Sequence, residues 1–134
     1  MQIRTASLND VEVLNIYDKH VEKTEIINLV NNKRIFILEI NNKIVGWLRY
    51  NLFWDNTPFM NMLYILENYR NNNYGTLLVN HFEKEMEKLG YNYLLTSTPS
   101  DETSINFYQK LGYKISGELF YKNDPKELIL SKSI

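Results

Sequence analysis

The chain contains no cysteine. That excludes disulfides, thiolate metal sites and a cysteine nucleophile. Glycine and proline are scarce, at five and three residues in 134, and no linker or internal repeat interrupts the pattern. Neither sign of charge is in excess: 15 basic residues face 16 acidic ones, for a formal net charge of −1. A nucleic-acid or membrane-surface partner, which usually calls for a basic surplus, is therefore not expected. No apolar run approaches transmembrane length. The start, Met1-Gln2-Ile3-Arg4, lacks the apolar core of a signal peptide. A cytoplasmic location is expected, as is a single domain over residues 1–134. The two histidines, His20 and His81, have no partner at metal-ligand spacing, so no metal is expected.

Asparagine, by contrast, is abundant. The pairs Asn31-Asn32 and Asn41-Asn42 and the triplet Asn71-Asn72-Asn73 read mainly as turn-makers. Between such turns the apolar periodicity gives a succession of elements. Gln2 to Ala6 reads as a strand. Ser7 with Asp10 resembles a capping box opening a helix to about His20, and Thr24 to Asn31 reads as a second helix. Arg34–Ile40 and Lys43–Trp54 form a hairpin across Asn41-Asn42. Asp55 to Pro58 turns the chain into a strand ending at Leu66. Gly75 to Leu89 is an amphipathic helix, with Leu78, Phe82, Met86 and Leu89 on one face and Gly90 as its C′ residue. A strand over Tyr91–Thr96 precedes a helix capped by Ser100 or Asp101 and ending at Leu111-Gly112. Tyr113–Tyr121 and Glu127–Ser131 are the final strands. The order βααβββαβαββ predicts an α/β fold with a mixed sheet and helices on both faces. The strand–helix–strand unit over 60–96 supplies its parallel pair.

The most informative stretch is Tyr69-Arg70-Asn71-Asn72-Asn73-Tyr74-Gly75-Thr76. It joins an apolar strand to a helix through residues that tolerate positive φ. Such a junction leaves backbone N–H groups free at a helix N-terminus, where the dipole adds partial positive charge: an anion site suited to phosphate. A nucleotide-binding P-loop does not fit, because no lysine follows the glycine. An asparagine-rich turn with an incidental glycine is the plain alternative.

A second segment, Asp101-Glu102-Thr103-Ser104-Ile105-Asn106-Phe107-Tyr108-Gln109-Lys110-Leu111-Gly112-Tyr113, resembles Asn-x-x-Ala-x-x-Phe-Tyr-x-x-x-Gly-Phe of the GNAT superfamily of acetyl-CoA-dependent N-acyltransferases. The loop is similar to the family's Arg/Gln-x-x-Gly-x-Gly/Ala motif. Asn73 stands where the first glycine is usual, and Asp101 and Ser104 stand for Asn and Ala. The resemblance extends over essentially the whole chain. It implies acetyl-CoA as acyl donor, its pyrophosphate held by N–H groups of Asn71, Asn72, Asn73, Tyr74, Gly75 and Thr76 with Arg70 orienting the loop or pairing with phosphate. It also implies a pantetheine arm bonded to the strand backbone at Leu63 and Ile65 and passing near Asp101, with the Ile65 N–H polarising the thioester oxygen. Tyr108 maps onto the position beside the sulfur, where a phenol donates to the departing thiolate.

Individual residues keep more than one reading. Ile105, Tyr108 and Leu111 lie at helical spacing, so Tyr108 also fits a core position. Glu67 and Asp55 are both placed to take a proton from the acceptor amine. The aromatic run from Trp47 to Trp54 has one face free for a pocket, and Trp54, Asp55, Phe59 and Asn61 are the expected acceptor contacts; core packing or a homodimer interface uses the same residues equally well. With no evident covalent nucleophile, direct attack in a ternary complex is the expected route to a small or peptide amine acceptor. A non-catalytic CoA-binding module, and an α/β interaction domain without a small ligand, remain as alternatives.

Overall fold

The computed structural model describes residues 1–134 and contains seven strands and four α-helices in the order read from the sequence. The strands are β1 (Gln2–Thr5), β2 (Ile35–Ile40), β3 (Lys43–Phe53), β4 (Thr57–Ile65), β5 (Tyr93–Pro99), β6 (Lys114–Leu119) and β7 (Glu127–Ser133). The helices are α1 (Val11–Tyr17), α2 (Lys23–Asn31), α3 (Tyr74–Lys88) and α4 (Ser104–Lys110). One mixed sheet runs β1-β2-β3-β4-β5-β7-β6. The chain divides into two compact units, Met1–Asn51 with Met62–Phe82 and Leu52–Asn61 with Glu83–Ile134.

In the first unit β1, β2 and β3 are antiparallel neighbours. Asn41 and Asn42 make the β2–β3 turn at φ +52° and +62°, the left-handed pair that a tight hairpin demands. A bulge follows at once. Leu38 faces Gly46 and Glu39 faces Ile44, so Val45 is the extra residue of β3. Ala6, Val11, Leu14, Ile26, Leu29, Val30, Ile35, Ile37 and Trp47 form the buried core. Ser7 does open a helical segment: its N–H donates to the Asp10 carboxylate at 2.7 Å. The first turn, however, is the 3-10 segment Leu8–Asp10, and α1 ends at Tyr17 rather than near His20. Asp18 leaves the helical region there and turns inward. The Arg4 guanidinium, bonded to Asp10 at 2.8 Å, holds that carboxyl below its ordinary range.

In the second unit β5 pairs antiparallel with β7 along its full length, and β7 with β6. The β3–β4 turn is Trp54–Asp55, at φ +54° and +63°, closed by the Asn56 N–H on the Phe53 carbonyl. The turn is thus tighter than Asp55 to Pro58, and Pro58 lies buried inside β4. The ends of α3 and α4 follow one rule. Gly90 (φ +92°) and Gly112 (φ +94°) sit just past α3 and α4. The Tyr91 N–H reaches the Met86 carbonyl and the Tyr113 N–H the Tyr108 carbonyl, each at 3.0 Å. These paired bonds are the Schellman ending, and the Tyr108–Tyr113 ring contact is the apolar contact that accompanies it. Along α3, Leu78, Phe82 and Met86 are fully buried, whereas Leu89 is exposed because the helix has already ended at Lys88.

Candidate active site

The strand-to-helix loop lies in the first unit. Arg70 through Asn73 are exposed; Tyr74, Gly75 and Thr76 are half-buried in the first turn of α3. Asn71 (φ +64°) and Asn73 (φ +63°) are both left-handed. Asparagine tolerates that region better than other non-glycine residues, so Asn73 does the conformational work of the missing glycine. Gly75 is not left-handed; its use at this position is its lack of a side chain. The first α3 bond at this end is Leu77 N–H to Asn73 carbonyl at 3.1 Å. The N–H groups just before it therefore have no carbonyl within the helix. Arg70 holds the loop from the other side. Its Nε donates to the Ile65 carbonyl at 2.8 Å, and its guanidinium lies 5.1 Å from the Tyr64 ring centroid. Asn72 Nδ2 donates to the Tyr69 and Arg70 carbonyls. Leu63 and Ile65 are half-buried and Glu67 is exposed on a 3-10 turn, Glu67–Tyr69.

Beneath the end of β4, three features escape a reading of sequence. Gly46 lies against it: a Cβ at position 46 would meet Ile65 Cδ1 at 2.6 Å and the Tyr64 carbonyl oxygen at 3.0 Å. The Ile65 methyl can swing away, but the Tyr64–Ile65 peptide cannot. Gly46→Val is therefore expected to destabilise the protein by about 1–3 kcal/mol and to weaken acetyl-CoA binding. Calorimetry beside thermal unfolding would check both, and normal affinity would show that this peptide is not part of the site. Next, Asp18 is buried and accepts from Arg49 Nε at 2.8 Å, from Trp47 Nε1 at 3.2 Å and from the His20 N–H at 3.3 Å. Finally, the Trp47 ring lies 5.0 Å from Tyr64, the ring that carries Arg70. The only sequence signal for any of these was the aromatic run that includes Trp47.

Tyr108, Asp101, Trp54, Asp55, Phe59 and Asn61 belong to the second unit. There β4 and β5 form a parallel pair at Phe59–Leu95 and Met60–Thr96. Asn61 and Ser97, next in register, do not continue it. Thr96 Oγ1 donates to the Met60 carbonyl at 2.9 Å, so the ladder ends on a side-chain clasp. Tyr108 is buried on α4, its ring edge-on to Phe107 and Tyr113. Burial pushes its phenol above the ordinary range, and the nearby Thr96 side chain pulls the other way. Tyr113 is pushed up as well, by burial and then by Glu83, to which its phenol donates at 2.9 Å. Ser104, the residue in place of alanine, is not an idle hydroxyl: it is hydrogen-bonded to buried Thr98. Asp101 is exposed before α4. Among the expected acceptor contacts, Phe59 is half-buried and lies 6.2 Å from the Phe53 ring, while Asn61 and Asp55 are exposed. Trp54 stands 79% exposed at its hairpin tip.

His81 is mid-helix and half-buried, with its ring 4.9 Å from Phe36. No group of three or more His, Asp or Glu side chains is arranged to hold a metal ion.

Solved structures of acetyltransferases share this fold. Ard1 from Thermoplasma volcanium matches at TM-score 0.86 and 16% identity, over 99% of this chain and 97% of its own. PaiA N-acetyltransferase from Thermoplasma acidophilum, solved in complex with coenzyme A, matches at 0.80 and 20% identity, over 99% and 98%. A GNAT family acetyltransferase from Elizabethkingia anophelis with acetyl-CoA bound matches at 0.80 and 16% identity, over 99% and 97%. The chain belongs to the acetyltransferase (GNAT) family, whose sequence model matches residues 5–113. No curated protein sequence matches it.

Proposed function

We propose that this chain is an N-acetyltransferase that moves an acetyl group from acetyl-CoA to an amine by direct attack. The observation that carries the reading is the loop: in a chain of this family, Asn71 and Asn73 take the two left-handed positions that bring the backbone into the start of α3. N–H groups of residues 71–76 would bond the pyrophosphate oxygens, with Gly75 leaving room for close approach and Thr76 adding a hydroxyl. The backbone of Leu63 and Ile65 would bond the pantetheine arm. The Ile65 N–H would polarise the thioester oxygen, while the Ile65 carbonyl accepts from Arg70. Tyr108 would donate a hydrogen bond to sulfur as the C–S bond breaks. Glu67 or Asp55, both exposed, would accept the amine proton through water. The acceptor pocket would draw on Trp54, Phe59 and Asn61.

Two measurements test this. Acetyl-CoA at a hundredfold excess over its dissociation constant should stabilise the protein by about 2.7 kcal/mol, a shift of several degrees in melting temperature. Desulfo-CoA should act similarly, because the loop reads phosphate. A panel of amines with acetyl-CoA should then release free thiol. No shift with either compound at millimolar concentration and low salt would remove the cofactor from the proposal. A shift without thiol release from any amine would reduce the protein to a CoA-binding module.

A further inference from the structure

The sheet of the second unit has one covered face and one open face. Buried and half-exposed residues alternate along β5, and the bond between Thr98 and Ser104 seats α4, with Tyr108, on the buried side. The register assigns the other side. Leu95, Ser97 and Pro99 point away from Thr96 and Thr98. Phe59 of β4 pairs with Leu95, and Ile129 and Glu127 of β7 pair with Ser97 and Pro99. β4 and β5 contain no charged residue. The one cation of β7, Lys132, pairs with buried Leu94 on the covered side and donates to Glu83 at 2.9 Å. Glu127 is therefore the only charge that these three strands bring to the open face. It is half-buried and bonded to no cation, and its Oε2 accepts from Ser97 Oγ at 2.8 Å. The carboxylate is thus held in place without being neutralised, and its second oxygen keeps its capacity to accept.

Its place along the strand adds to this. Ser97 is the first β5 residue beyond the last bridge to β4, Met60–Thr96. Tyr108 and Glu127 accordingly stand on opposite faces of one short stretch of β5, where its pairing with β4 stops. We infer that Glu127, held by Ser97, is the carboxylate that receives the proton of the acceptor amine. The inference rests on the acetyl-transfer reading above and deepens it. The amine lone pair forms the C–N bond to the thioester carbon. The C–S bond breaks, and its electron pair leaves on sulfur, where Tyr108 would meet it. The proton lost from nitrogen passes to Glu127, directly or through one water. A neutral amine, a thioester and a carboxylate thus become an amide, a thiolate and a carboxylic acid, with one negative charge before and after. This puts Glu127 ahead of Glu67 and Asp55, which are exposed and have no side-chain bond to hold them.

The test uses the full chain and an amine from which the parent releases thiol. Glu127→Gln keeps an oxygen for the Ser97 hydroxyl but cannot take a proton. It should lower kcat at least a hundredfold and leave the KM for acetyl-CoA and the melting temperature nearly unchanged. Glu127→Ala should show the same loss, and it gives the comparison should the glutamine variant not fold. Formate, a carboxylate small enough for the vacated space, should restore part of the alanine variant's rate, which a packing role for Glu127 would not allow. Ser97→Ala frees the carboxylate and should lower kcat by up to about tenfold, the worth of one hydrogen bond. In a Glu127→Gln background it should add little, because Ser97 acts through the carboxylate. Normal kcat in Glu127→Gln, or a loss only in melting temperature, overturns the inference. So does an alanine variant that formate leaves unchanged. Absence of thiol release from the parent is a separate result, visible before any variant is made; it strikes the acetyl-transfer reading and takes this inference with it.

Discussion

Tyr108→Phe is expected to lower the rate of thiol release by about 10²- to 10³-fold, the usual effect of removing one preorganised donor from a developing charge. Acetyl-CoA affinity should stay within a few-fold, because the phosphates and pantetheine backbone would carry most of the binding. The ring is buried between Phe107 and Tyr113, and phenylalanine keeps those contacts. Burial raises the phenol above its ordinary value. The neutral form is therefore complete through the neutral range, and it is lost only as pH rises through the raised value. A thiolate of ordinary basicity, with pKa about 8.5, is a weaker base than the phenolate. The contribution of Tyr108 is accordingly a hydrogen bond that strengthens as sulfur gains charge. Steady-state kinetics beside calorimetry separates this role from packing: a variant with unchanged turnover and a melting temperature lowered by the equivalent of about 1 kcal/mol would make Tyr108 a core residue.

The order of elements was legible because each is announced locally. Asn41-Asn42 makes its hairpin by taking positive φ at both positions, and Gly90 and Gly112 end their helices by accepting a conformation other residues resist. The loop was legible for the same reason, as a run of residues suited to positive φ. Element ends were less so. Pro58 suggests a turn, yet it lies within β4, and Trp54 occupies a left-handed position that its residue type does not advertise. What could not be read at all was long-range. Thr96 meets the Met60 carbonyl across 36 positions, and Arg49 meets Asp18 across 31. Nothing in the local pattern around a threonine or an aspartate says which distant carbonyl or guanidinium it will reach. The bulge at Val45 is similarly a property of the pairing rather than of the strand. The candidate site was therefore readable as a loop and a tyrosine, while the groups that hold each in place came only from the fold.

The largest loss of stability is expected from Asp18→Ala. The carboxylate is buried and accepts from Arg49, Trp47 and the His20 backbone. Its removal strands a buried guanidinium and an indole N–H together. Breaking such a pair from one side costs about 3–5 kcal/mol, or roughly 10–20 °C in melting temperature for a domain of this length. The site should feel it as well. Trp47 packs on Tyr64, Tyr64 lies under the Arg70 guanidinium, and Arg70 ties the loop to the Ile65 carbonyl. Once Trp47 loses its anchor, that platform loosens, so acetyl-CoA affinity should fall even at temperatures where the variant is folded. Asp18→Ala with Arg49→Met should recover much of the stability, because both charges then leave the interior together. Denaturant unfolding of the parent, the two single variants and the double variant measures the coupling. A double variant no more stable than Asp18→Ala alone would show that the penalty lies with Trp47 and the turn after α1, and that the stranded guanidinium contributes little.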